Sequence, residues 1–383
     1  MTDRPSVLLL ELDEPPISRL SAVRYDFSPK QITCYNGYVR FWLLKRKTRR
    51  SPVKEKTANK KSDSYLHTYH IVNSHEAYLS DVARNRSFLS ALTRHVKPGS
   101  TVLDIGSGTG IWAITAALLG ARRVVAIERD ELLIPIIRNL IKENGVSDRV
   151  EVIHGESQRI NLDERFDCIV SETIGNQAFE EQIVSTMTDA RKRFLKPGGV
   201  LIPSFVSLVV ATAHMRRRPP SVAAGASVKC EYFELLSLNI PVTMTQKSKI
   251  RVISTPRDLL SIDLLRVDAM PDLASLTARW NNIDLTRINC FAVWAEMRLA
   301  KGLKLSTLET SNWAPVIYQI KPFKRTKGNV EFVLNMTDKT HYWTASLSNS
   351  RDTETQSYSP VFAYTSLQTQ IRMAEAFNTL KKG

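Results

Sequence analysis

Thr101-Val102-Leu103-Asp104-Ile105-Gly106-Ser107-Gly108-Thr109-Gly110 decides the fold. Its first half is apolar and β-branched, as a buried strand requires, and its second half alternates glycine with small polar residues before a helical spacing begins at Ile111. A strand that turns through glycines into a helix lets the backbone approach a ligand lying beyond the strand's carboxyl end.

Outward from that turn, short β-branched runs recur at Val124 to Ile127, Val150 to Ile153, Cys168 to Val170 and Val200 to Ile202, with helical stretches between them. This alternation predicts an α/β domain with a parallel, Rossmann-like sheet over about 64–202. Upstream, apolar positions from Tyr65 to Arg94 recur at helical spacing and break near Asn73-Ser74, so a short helix is expected to feed a longer one. Asp130 is the expected N-cap of a helix ending at Asn144-Gly145, with a kink or a late start because Pro135 lies inside it. After Pro203 the texture changes to alternating strands, Phe205 to Ala213, Phe291 to Leu299, Val316 to Ile320 and Val330 to Leu334, which predicts an antiparallel β-barrel domain over 203–383. Residues 1–63 form a basic N-terminal region with one candidate strand around Tyr35 to Leu44.

The glycine spacing selects the ligand. A dinucleotide fingerprint would place its third glycine at 111, which is Ile111. Gly106, Gly108 and Gly110, preceded by Asp104, instead resemble motif I of S-adenosylmethionine-dependent methyltransferases. Glu128, at the end of the next strand, is placed to accept both ribose hydroxyls, a bidentate contact that suits a carboxylate. The adenine end is expected near Glu156 and Ser157, after the third strand.

After the fourth strand comes Ser171-Glu172-Thr173-Ile174-Gly175-Asn176-Gln177-Ala178-Phe179-Glu180-Glu181-Gln182. It resembles the double-E loop of protein arginine methyltransferases, with Glu172 and Glu181 as its two glutamates, and the resemblance extends over about 64–345. Tyr65-Leu66-His67-Thr68-Tyr69 resembles the family's N-terminal aromatic helix, His75-Glu76 its following pair, and Arg84 the arginine that grips the methionine carboxylate. Ser311-Asn312-Trp313 resembles the family's Thr-His-Trp loop, with Asn312 where the family has His; Thr340-His341-Tyr342-Trp343 has similar residue types at the wrong spacing.

The resemblance implies an enzyme that moves a methyl group from S-adenosylmethionine to a substrate guanidinium, leaving S-adenosylhomocysteine. Glu172 and Glu181 would be catalytic. Tyr65, Tyr69, Ile71, Asn312 and Trp313 would meet the substrate arginine. With no His at 312, a type III-like enzyme that stops mainly at one methyl is expected, with Ile71 and Ile174 shaping the room for a methylated arginine. The physics suits the match. A guanidinium keeps its proton, so its nitrogen is a poor nucleophile until carboxylates hold the charge on the other nitrogens and fix its plane.

Composition sets the remaining bounds. Of 383 residues, 43% are hydrophobic, enough for sizeable cores, and 53 Lys+Arg against 38 Asp+Glu give +15. Nine bases opposed by Glu55 alone lie between Lys45 and Lys61, so eight of those fifteen charges belong to a segment outside the motifs; nuclear import or RNA contact are its sharper readings and a solvated lead-in the plain one. Cys34, Cys168, Cys230 and Cys290 are far apart, which indicates no metal site or disulfide framework and an intracellular setting, cytoplasmic or also nuclear. No signal-peptide core or membrane span is expected. Expected partners are arginine-rich basic proteins, histone tails or RNA-binding proteins, and a second copy of the chain, which the resemblance implies is reached by an arm at about 215–240. Two alternatives stay open: a catalytically weak paralogue serving as a regulatory subunit, and an RNA-binding protein.

Overall fold

The structure is a computed structural model. It describes the backbone of Cys34–Tyr35 and Tyr38–Val39, residues 60–216, 237–337, 340–349 and 351–360, with side chains from Thr68 onward except Thr340. The chain divides into two units, residues 1–51 and 52–383. In the first, β1 (Cys34–Tyr35) pairs antiparallel with β2 (Tyr38–Val39), a short hairpin at the start of the expected strand.

The second unit opens with α1 (Lys60–Ser80) and α2 (Val82–His95). The break between them is at Asp81, whereas the sequence placed it at Asn73-Ser74; the helix runs through that polar pair, and the carboxylate of Asp81 ends it by accepting the Arg84 N–H at 3.1 Å as the N-cap of α2. Phe88, Ala91 and Leu92 give α2 a fully buried face at i, i+3, i+4 spacing, and Phe88 stacks on Trp112 at 4.9 Å.

The parallel sheet contains β3 (Thr101–Ile105), β4 (Arg123–Glu128), β5 (Val150–His154), β6 (Phe166–Ser171) and β7 (Leu195–Ile202), in the order β5-β4-β3-β6-β7. Every neighbouring pair in it is parallel, as predicted. All five residues of β3 are buried because helices cover both faces of such a sheet. Between the strands run α3 (Ile111–Leu118), α4 (Leu133–Glu143) and α5 (Ile183–Phe194). Ala113, Ala116 and Ala117 are fully buried and let α3 approach closely. α4 takes the late start: Leu132 is its cap, Pro135 falls in its first turn where a missing N–H costs nothing, and Asp130 instead accepts the Leu132 N–H at 3.0 Å.

Among the described residues beyond Pro203 all strand pairing is antiparallel. One sheet holds β8 (Phe205–Met215), β9 (Val242–Thr243), β10 (Ile250–Val252), β11 (Arg257–Asp263), β13 (Cys290–Ala300), β14 (Leu303–Ser306) and β15 (Val316–Gln319). The other holds β12 (Leu276–Asp284), β16 (Lys327–Thr337), β17 (Thr340–Ser348) and β18 (Thr353–Tyr358). Phe291, Phe332, Tyr318 and Trp343 form an aromatic core between them, with Phe291 and Phe332 stacked at 4.4 Å and Tyr318 edge-on to Trp343 at 5.0 Å. Of the expected arm, 217–236 lies outside the described residues, as do 45–59 of the basic segment.

Candidate active site

The carboxyl ends of β3, β4 and β6 and the N-terminus of α2 converge on one region. Gly106, Gly108 and Gly110 all have positive φ, as the turn predicted. At Gly108 glycine is favoured twice over: φ is 59°, and a Cβ there would come within 2.7 Å of His75 Cε1. Glu128 folds onto this turn, accepting the Gly108 N–H at 2.8 Å through one oxygen and the Asp130 N–H at 2.8 Å through the other. Asp104 is fully buried; one oxygen accepts the Ala113 N–H at 3.0 Å and the other, Oδ1, has no partner. Burial pushes its carboxyl up to about 7, against the pull of the Ala113 N–H and Ser107. Ser157 is buried in the short 3-10 turn that follows β5, while Glu156 is exposed and paired with Arg159 at 2.8 Å.

Beside the glycine turn lie the two glutamates. Glu172 follows β6 directly, and Arg84 of α2 donates Nε–H to its Oε2 at 2.9 Å and reaches the same oxygen with Nη2. Burial pushes Glu172 up, while Arg84 favours its charged form. The Arg84 guanidinium lies 5.4 Å from the Trp112 ring centre and 5.9 Å from that of Trp313. Glu181 is partly buried, and burial first, then the charges of Glu172 and Glu180, push it up to about 7; Arg129 and Arg84 oppose this. Tyr78 of α1 is raised by burial and by the charges of both glutamates, so all three share one electrostatic neighbourhood.

The loop between the glutamates is strained and clamped. Ala178 (φ 69°) and Gln182 (φ 63°) are non-glycine residues in the left-handed region, one on each side of Glu180-Glu181. Trp313 donates its indole N–H to the Ile174 carbonyl at 2.7 Å, and the Ala314 N–H is held by the Asn176 side chain at 2.9 Å. Asp81 completes the clamp: beyond capping α2, its second oxygen accepts the N–H groups of Ser311 at 3.0 Å and Asn312 at 2.9 Å.

Thus Arg84, Glu172, Glu181, Trp313 and Asn312 come together, with Asp104, Gly106, Gly108, Gly110 and Glu128 adjoining them along the strand ends. Ile71 is half-buried against the core, and Tyr69 is 54% exposed, edge-on to His70. The side chain of Tyr65 lies outside the described residues, although its backbone belongs to α1. Asp81, Tyr78, Gln177, Glu180 and Tyr318 were not picked out from the sequence. Only Asp81 carried a usable signal, an N-cap residue just before an amphipathic run.

A family model described as Ribosomal protein L11 methyltransferase (PrmA) matches residues 86–207. Among curated proteins, the chain is 30% identical over 263 residues to a probable protein arginine N-methyltransferase 6 of Arabidopsis thaliana, covering 65% of this chain and 60% of that one. It is 32% identical over 242 residues to an arginine N(omega)-methyltransferase of Streptomyces achromogenes subsp. streptozoticus (61% and 66%), and 27% identical over 274 residues to protein arginine N-methyltransferase 6 of Danio rerio (67% and 78%). The chain spans less than two-thirds of the length of its Arabidopsis and rice relatives. In fold it is similar to Arabidopsis thaliana protein arginine methyltransferase 10 (TM-score 0.62, 22% identity, 77% of this chain and 99% of that one). It is likewise similar to a chain of the Trypanosoma brucei PRMT1 enzyme–prozyme complex with AdoHcy (TM-score 0.61, 21% identity, 74% and 96%).

Proposed function

The chain belongs to the protein arginine N-methyltransferase family, and from that premise we propose that it methylates arginine side chains of basic proteins, with S-adenosylmethionine as donor. The observation that carries this reading is the Glu172/Glu181 pair: two recessed carboxylates in one electrostatic neighbourhood, only one of them ion-paired to a cation among the described residues. Like charges held together against their own repulsion suit a delocalised cation as ligand.

The residues of the turn fit the cofactor. The orphaned Oδ1 of Asp104 and the positive-φ glycines are what a cradle for its amino acid end needs, Glu128 has lone pairs left for ribose hydroxyls, and Glu156 and Ser157 stand at the adenine end. Arg84, which here donates its Nε–H to Glu172, would also hold the methionine carboxylate, so that cofactor and Glu172 would share one cation. When bound, the cofactor supplies an electrophilic sulfonium methyl.

The remaining work is done by the chain's own groups. Arg84 aims Glu172 and favours its charged form against the upward push of burial, and Glu172 draws the substrate's positive charge onto the nitrogens it binds. Glu181 fixes the guanidinium plane from the other side; with its carboxyl at about 7, it accepts the proton released as the nitrogen is methylated. Trp313, anchored to Ile174, is read as meeting the substrate arginine together with Tyr69, Ile71 and Asn312. Labelled S-adenosylmethionine and an arginine-rich peptide test this: label is expected in methylarginine after acid hydrolysis and is lost in Glu172→Gln and Glu181→Gln. Label found in lysine or in RNA overturns it.

Two finer readings follow. Asn312 in place of His supports a product that stops mainly at monomethylarginine, and mass spectrometry finding mostly dimethylarginine refutes that. A homodimer is supported by a groove of about 390 Å³ on the α2/α3 surface, lined by Leu79, Val82, Leu89, Ile111 and Trp112, which suits an apolar arm from a second copy. A monomer mass at micromolar concentration excludes it.

A further inference from the structure

A chain of side chains runs from the barrel core to the double-E loop, and each of its hydrogen bonds has a fixed polarity. Glu180 is exposed, yet both its oxygens are held by Gln177: Oε2 accepts the Gln177 backbone N–H at 2.9 Å and Oε1 accepts its side-chain Nε2–H at 3.1 Å. Because Nε2 faces a carboxylate, which can only accept, the Gln177 Oε1 must face a donor. That donor is the hydroxyl of Tyr318, fully buried in β15. Tyr318 has one proton and spends it on Gln177, so its 3.4 Å contact with His341 Nε2 is a bond only if His341 donates. Burial lowers the His341 pKa, which leaves a neutral ring that has an N–H to give. His341 also stacks on Tyr318, at 6.0 Å and 13° between planes. The order is therefore His341, Tyr318, Gln177, Glu180, with every donor pointing the same way.

The far end of the chain is sterically fixed as well. A Cβ on Gly175 would lie within 2.8 Å of Glu180 Cβ and collide with its carboxylate, so glycine at 175 is what lets Glu180 fold back over the loop. The turn is closed by the Ala178 N–H on the Gly175 carbonyl at 3.0 Å.

We propose that Tyr318 and Gln177 are positioning residues: a latch from the barrel core that holds Glu180 over Gly175 and thereby fixes the adjacent Glu181 for reaction. The proposal rests on the methyltransferase reading above and deepens it. The latch acts through geometry, since Glu180 and Glu181 are consecutive, and through charge, since the Glu180 carboxylate is kept beside Glu181. Glu181 is otherwise faced by Glu172 from the end of β6, Arg129 after β4, Arg84 of α2 and Tyr78 of α1.

A double-mutant cycle with Tyr318→Phe and Gln177→Met tests the latch on the full chain. Tyr318→Phe removes one oxygen and no packing volume. Each single variant is expected to lower kcat on an arginine-rich peptide by about tenfold, the scale on which small misplacements of reacting groups act. The double variant should lose no more than the worse single, because members of one chain fail together. S-adenosylhomocysteine Kd should stay within about twofold. The acid limb of kcat/KM should move to lower pH in both singles, as Glu180 is freed to swing away from Glu181; loss of packing alone would not move it. Additive losses, a wild-type Tyr318→Phe or an unmoved limb overturn the latch while leaving the methyltransferase reading intact. A wild-type chain that binds S-adenosylhomocysteine but methylates no arginine overturns both.

Discussion

Arg84 Nε lies 2.9 Å from Glu172 Oε2, and the two side chains, 5% and 10% exposed, neutralise each other inside the candidate site. Removing one partner of such a pair strands the other charge. Arg84→Ala should cost about 3–5 kcal/mol of stability, read as a fall in the urea midpoint with an unchanged slope. Glu172→Gln preserves shape and leaves Arg84 a neutral acceptor, so it should unfold the chain far less. It should also free Arg84 for the cofactor: S-adenosylhomocysteine is expected to bind about fivefold tighter by calorimetry, roughly 1 kcal/mol, while kcat falls about 100-fold or more. Weaker binding in Glu172→Gln would mean that the two anions do not share this arginine.

The pH dependence has a definite sign. Glu181 is raised from 4.5 to about 7 and Asp104 from 3.8 to about 7, both first of all by burial. The folded chain therefore holds these protons more tightly than the unfolded one, and the stability they contribute is complete below the unfolded values and lost as pH rises through about 7. The melting temperature should fall as pH rises from the unfolded value of 4.5 to about 7 and level off above it. Glu181→Gln should remove part of that slope and stabilise the chain at pH 8 by on the order of 3 kcal/mol. Activity runs the other way, because the proton acceptor must be ionised: kcat/KM should rise through about pH 7.

Those two glutamates show what could be read from the sequence and what could not. Glu172, Glu181, the glycine turn and Glu128 follow strand ends, and a parallel sheet delivers its strand ends to one crevice, so local pattern was enough to gather them. The helix boundary at Asp81 was misplaced because Asn73 and Ser74 are as polar as a break requires and compete with the N-cap signal of Asp81, whose contacts with Ser311 and Asn312, 230 and 231 residues away, no local pattern shows. Gln177, Tyr318 and His341 meet through three segments of the chain, and no spacing rule connects them. Arg84 was legible as a cation of the site, but its pairing with Glu172 depends on how α2 lies against β6.

Asp81 offers a test of that long-range contact. Its first oxygen caps α2 and its second satisfies two barrel-loop N–H groups. Asp81→Ala should lose about 1 kcal/mol for the cap and about 1–3 kcal/mol more for the orphaned N–H groups. Asp81→Asn should keep the cap but set an amide N–H₂ against the Ser311 and Asn312 N–H groups, loosening the loop that carries Trp313. A stability loss of about 1–3 kcal/mol, with the cap kept and the peptide KM raised, is the expected signature of Asp81→Asn, checked by steady-state kinetics beside thermal melts. Identical kinetics in Asp81→Asn and wild type would show that the loop stays in place without this carboxylate.

Gly108→Ala asks whether the turn is built for a ligand or only for folding. At φ 59° an alanine costs about 1–2 kcal/mol, and its Cβ would lie 2.7 Å from His75 Cε1, the edge of a side chain on α1 that can shift. The chain should therefore fold with a small loss in melting temperature. The same residue, however, donates its N–H to Glu128, the carboxylate proposed to hold the ribose, so displacing this turn displaces Glu128 with it. S-adenosylhomocysteine affinity should fall by about 100-fold, roughly 2.7 kcal/mol, in a chain whose urea midpoint reports a loss of no more than the roughly 1–2 kcal/mol of the backbone strain. Affinity and stability falling in proportion would instead make the turn a structural element with no special relation to the cofactor.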